Sequence, residues 1–96
     1  MSADFSSLRN LHEQAVIELV RSGASRHPLI ADQPDLLADV ACVALNRLPP
    51  RYIRHAADHA FYQREHDHRT RAQAQAEAVE FAFGFVQARQ AMRARG

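Results

Sequence analysis

Arg47, Arg51 and Arg54 crowd around a double proline, Pro49 and Pro50, and this is where the chain could do chemistry. A guanidinium group is a planar fork. It bonds bidentately to phosphate and to the O6/N7 edge of guanine, and it stacks on flat rings. Proline fixes φ and cannot donate a backbone hydrogen bond, so arginines hung on a double proline are held on a stiff turn, which lowers the ordering cost of binding. Tyr52 and Tyr62 add rings able to stack on a purine, while Asp39, Asn46 and Asp58 carry groups able to read base edges. Together these residues suit a flat, anionic ligand. Each also has a plainer use: Asn46 could cap a helix end, Tyr52 could fill the core, and the arginines could bond to carbonyls of the turn.

Catalysis has less to stand on. His55, Asp58 and His59 read HAADH, which on a helix would put both histidines on one face at a metal-pair spacing. Zinc hydrolases need a glutamate in that motif, and no third ligand is marked, although His66, Asp67 and His68 follow nearby. The sequence shows no nucleophile elbow, no glycine-rich phosphate loop and no paired carboxylates at a suggestive spacing. A binding module is expected rather than an enzyme, with no metal.

The elements that must hold these residues are helical. Leu8, Leu11, Ala15 and Leu19, widened by Val16 and Val20, predict a helix over Leu8 to Arg21 with Ser6 or Ser7 as its cap and Asn10 and Glu13 on one flank. Gly23 reads as a left-handed stop, followed by a loop over Ala24 to Pro34. Asp35 then caps a second helix, Leu36 to Arg47, with Asp39 inside it and Cys42 in its apolar pattern as a buried, inert thiol. The prolines end that helix near Leu48 and force an extended exit. Arg51 to His59 reads as a strap that turns helical near Ala56. Asp67 to Met92 reads as one long helix.

That last helix carries two apolar stripes, one through Val79, Phe83 and Val86 and one through Phe81, Phe85 and Ala88. One small domain cannot cover both. A homodimer follows, with Gly84, costly within a helix by about 1 kcal/mol against alanine, marking a close backbone approach.

Composition agrees with a small, single, all-α domain over residues 1–96. A chain this short buries only about 60 to 65 percent of its unfolded surface and gains from a partner subunit. The net charge is +1, so no broad basic face for duplex nucleic acid is advertised, and every one of the 12 basic residues is arginine. No apolar run is long enough to span a membrane, and no leader is evident at the start, so a cytoplasmic location is expected.

The stretch DVACVALNRLPPRY resembles the signature of the late competence protein ComFB family, in which an Asp-led helix ends in an ALN-x-LPP-x-Y run. The residues that carry it are Asp39, Ala44, Leu45, Asn46, Leu48, Pro49, Pro50 and Tyr52, supported by Asn10 and Glu13 upstream and a long helix downstream. The resemblance implies a small helical dimer, and in some members a receptor for cyclic dinucleotides that signals to a protein partner. It also implies that the Asn10 and Glu13 pair reaches the loop of the other subunit. Other members carry a cysteine-rich zinc site. Here the comparable loop holds His27 and Asp32 without cysteine, which removes the thiolates that structural zinc requires. The R-x-x-x-R spacing of Arg47 and Arg51 is also similar to that of PilZ-type cyclic di-GMP receptors. The PilZ partner motif is absent, however, and the chain reads as helical, so that likeness carries no weight. The expected ligand is a cyclic dinucleotide, cyclic di-GMP first. The competing expectation is a regulatory module of the competence type that docks a protein and takes no nucleotide.

Overall fold

The structure, a computed structural model, describes residues 3–55 and 65–95, without the side chains of residues 65 and 66. Among the described residues the chain is all-α, with three helices and one minimal two-stranded sheet. Strand β1 is Arg9–Asn10, helix α1 is His12–Gly23, helix α2 is Pro34–Arg47, strand β2 is Tyr52–Ile53 and helix α3 is Glu65–Arg95.

The first helix starts later than its apolar pattern predicts. Arg9 and Asn10 pair antiparallel with Ile53 and Tyr52, and the Leu11 N–H donates to the Arg51 carbonyl at 2.6 Å, so Arg9 and Asn10 are extended and lie outside the helix. Neither Ser6 nor Ser7 caps α1. The nearest substitute is Asn10, whose Oδ1 accepts the N–H of His12 at 3.3 Å. The buried stripe is accordingly His12, Val16, Val20 and Gly23, while Leu8 stays exposed and Leu11, Ala15 and Leu19 are only half-buried.

Gly23 is not a left-handed stop. Its φ is −87° and the chain continues into a 3-10 turn over Ala24–Arg26. What keeps a glycine there is packing: a Cβ would sit 3.2 Å from a ring carbon of Phe83. Beyond the turn, Ile30 folds back into the core from a run of turns, and α2 begins with Pro34 at its first position after an extended Gln33. Proline is preorganised for that position and lacks only an N–H that would go unpaired anyway. Asp35 is therefore a first-turn acid and not the cap. Leu48 leaves the helix extended, at φ −98° and ψ 130°, as the double proline requires.

Helix α3, 31 residues long, packs along both α1 and α2. The core consists of Val16 and Val20 from α1, Ile30, then Val40, Ala44 and Leu48, and finally Ala78, Val79, Ala82, Phe83 and Val86 from α3. Of the two stripes on α3, only the Val79–Phe83–Val86 stripe is buried within the protomer. Cys42, expected inside, is exposed on the outer face of α2, where Asn46 Nδ2 lies 3.6 Å from its sulfur.

Candidate functional site at the double-proline turn

The start of α1, the turn through Leu48 and the two prolines, and the first turns of α3 line an open cleft of about 520 Å³. His12 lines it from α1. Leu48, Pro49, Pro50 and Arg51 form the turn side, and Asp67, Thr70, Arg71 and Ala74 form the α3 side. The turn is fixed from behind. Asn10 Oδ1 accepts the Arg51 N–H at 3.1 Å, so one side chain serves both the start of α1 and the exit from the prolines. Asn10 thus reaches the loop of its own chain. Glu13 is exposed and takes no part.

His12 is the buried polar centre of this arrangement. Its Nε2–H donates to the Pro49 carbonyl at 3.1 Å, which can only accept, and Nδ1 then accepts from the Gln75 side-chain amide at 2.9 Å. The bonds fix the tautomer and tie the turn to α1 and α3. Burial holds the imidazole below its ordinary pKa, and the positive charges of Arg71 and Arg51 add to this against the pull of the Pro49 carbonyl. Arg71 is lowered as well, by burial first and then by Arg51, with Asp67 opposing. Arg71 therefore stands within reach of the Arg51 charge. Among the described residues the one ion pair is Arg89 with Asp39, so neither Arg51 nor Arg71 has a carboxylate partner there.

Of the sequence-predicted ligand-binding residues, Arg51 alone among the described ones lines this cleft. Tyr52, in β2, is 64% exposed and so does not fill the core. Arg54 is exposed next in line, with Nη2 2.7 Å from the His55 ring. Arg47 lies elsewhere, with its guanidinium 3.7 Å from the centroid of Phe81. Phe81 is roughly 15 Å along α3 from Arg71 at about 1.5 Å per residue. Asp39 is also committed elsewhere: it pairs with Arg89 Nη2 at 3.2 Å, and Arg89 in turn leans over Phe85. Asn46 is exposed beside Cys42 and does not cap the helix end. Asp58, His59 and Tyr62 lie outside the described residues, as does the strap's expected helical turn near Ala56.

His27 stacks on Phe83 with centroids 4.0 Å apart and its Nδ1 accepts from Gln87 at 2.9 Å, so it is engaged in packing. Among the described residues no group of three or more His, Cys, Asp or Glu side chains is placed to hold a metal ion. No helix among them is long and apolar enough to cross a membrane.

Sequence reasoning missed His12, Thr70, Arg71 and Gln75. One signal was available: His12 stands one turn before Val16 and two before Val20, a lone histidine on an apolar stripe that needs buried partners. The other three carry no such mark on a polar, alanine-rich helix.

A family model described as late competence development protein ComFB matches residues 9–90. This chain belongs to the ComFB family. The matched span runs from the first residue of β1 through most of α3, so every residue of the cleft lies within it. Family membership points to a competence-related regulatory protein. No curated protein and no solved structure matches the chain.

Proposed function

We propose that this ComFB-family chain is a non-enzymatic, cytoplasmic receptor for a cyclic dinucleotide, cyclic di-GMP first, held at the double-proline turn. The observation that carries the reading is Arg51: it stands on a rigid, Asn10-pinned turn at the mouth of a concave cleft and lacks an ion-pair partner among the described residues. A ligand with phosphates and flat purines suits that arrangement, and Tyr52 and Arg54, exposed and close to Arg51 in the chain though not part of the cleft lining, are the proposed stacking and charge partners. Arg47 and Asp39 belong to a different surface in this reading. They flank Phe81 and Phe85, where a second copy of the chain is expected to pack, and the occupied receptor then signals to a protein partner.

Calorimetric titration with cyclic di-GMP, cyclic di-AMP, GTP and buffer tests it. Arg51→Ala should weaken cyclic di-GMP binding about ten- to a hundredfold, the loss of one charge-assisted contact, and Arg51→Lys should recover only part of that. Arg47→Ala should bind like wild type. If wild-type protein binds no cyclic dinucleotide, the second reading takes over: a competence-type module that docks a protein on the Arg and His surface around the proline turn, where Arg54 and His55 are exposed.

A further inference from the structure

The α3 wall of the cleft carries groups that the double-proline motif does not explain. Arg71 faces the cleft from α3, Thr70 precedes it, and Arg51 lines the same cleft from the proline turn. Arg71 is half-buried, and its one hydrogen bond to a side chain among the described residues is from Nη2 to His68 Nδ1, at 3.3 Å. Asp67 stands one turn before it, the spacing at which a carboxylate and a guanidinium can meet, yet no ion pair forms between them. With His12 neutral, Arg51 and Arg71 bring two positive charges to the cleft and Asp67 one negative charge. The remainder is the single positive charge that one phosphodiester neutralises.

We propose that Arg71 and Thr70 of α3, together with Arg51 across the cleft, form a phosphate seat that holds one phosphodiester of the bound cyclic dinucleotide. The proposal rests on the receptor reading above and adds to it a second wall. Arg51 and Arg71 grip the phosphate oxygens from opposite elements, and the Thr70 hydroxyl donates to a third position. Because one grip comes from the turn and the other from α3, an occupied seat draws the two together over the His12 bonds to Pro49 and Gln75.

The test uses the full chain with Arg71→Gln, Arg71→Lys and Thr70→Val, folding checked by circular dichroism. Two probes are used: cyclic di-GMP by calorimetry and inorganic phosphate by amide chemical-shift changes at Thr70 and Arg71. Arg71→Gln should weaken cyclic di-GMP about ten- to a hundredfold and abolish the phosphate-induced shifts, with Arg71→Lys intermediate. Thr70→Val, an exposed position that leaves folding intact, should weaken cyclic di-GMP several-fold and decides the matter if Arg71→Gln does not fold. Wild-type affinity in Arg71→Gln and Thr70→Val, with Arg51→Ala still impaired, overturns the seat while leaving the receptor reading in place. Arg71-dependent phosphate shifts in a wild-type protein that ignores cyclic dinucleotides would keep the seat and overturn the receptor reading. No response to either probe overturns both.

Discussion

His12 is a histidine used as a structural neutral group, and this gives it a definite pH signature. Its folded pKa lies below the ordinary value of 6.5, because burial and the charges of Arg71 and Arg51 disfavour the imidazolium. Folding therefore favours the deprotonated ring. The stabilisation is fully present above pH 6.5 and is lost as pH falls through the lowered folded value, because the unfolded chain then takes up a proton that the folded chain resists. The charged groups around the ring are Arg51 on the turn side and Arg71 and Asp67 on α3. His12→Gln keeps an amide donor for Pro49 and cannot titrate. Between about pH 8 and about pH 5, wild-type melting temperature should drop relative to this variant. A wild-type-minus-variant profile that stays flat would show that His12 is not held neutral.

At the level of elements, the double proline dictates direction and Asn10 dictates where that direction leads. The prolines cannot continue α2, and the exit becomes a strand only because β1 lies beside it, with the Asn10 carboxamide satisfying N–H groups of both His12 and Arg51. Two otherwise unpaired donors depend on one oxygen. Asn10→Ala should cost about 1 to 2 kcal/mol in denaturant unfolding, the usual range for a lost helix cap, and should loosen the turn that carries Arg51. Asn10→Asp keeps the acceptor and should be much milder. Equal losses for both would mean that the contact through Oδ1 is not what matters.

On the scale of the whole molecule, α3 offers solvent an apolar face that the protomer does not cover. Phe81, Gly84, Phe85, Ala88 and Met92 share one side of the helix and are all exposed, with Phe81 43% and Phe85 46% open to solvent and their rings 6.1 Å apart. Among the described residues, apart from its chain neighbours and the backbone of its own helix, nothing lies within 4 Å of a Cβ built at Gly84. The two stripes of α3 thus part company, with Phe83 in the core and Phe85 on the open face. Phe83→Glu would place a charge in the core and should unfold the protein, whereas Phe85→Glu should leave a folded protomer and, in light scattering, abolish the dimer proposed for this face. Gly84→Ala sharpens the point. In an isolated protomer it should stabilise α3 by about 1 kcal/mol, and in a dimer seated on this face it should weaken association. An intact Phe85→Glu dimer would remove this face from the interface.

What the sequence determined by itself was local in cause. Helix periodicity gave α2 and α3 to within a few residues, and the prolines gave the extended exit at Leu48, because propensity, spacing and the missing N–H act over one or two turns. The run ending in Pro49, Pro50 and Tyr52 resembled the ComFB family for the same reason: it is one continuous motif. Tertiary structure alone decided where the motif's neighbours lie. Pairing with Ile53 and Tyr52 took Arg9 and Asn10 out of helix α1, and the Phe83 ring, not a left-handed backbone, accounts for Gly23. Packing of α3 against α2 sent Arg47 to Phe81 and Asp39 to Arg89, dividing a cluster that looked continuous along the chain. The same packing brought Thr70 and Arg71 to Arg51 and His12. A stripe shows that a helix is buried on one side. Which long-range partner covers it, and so which polar residues meet at its edge, is set only when the helices pack.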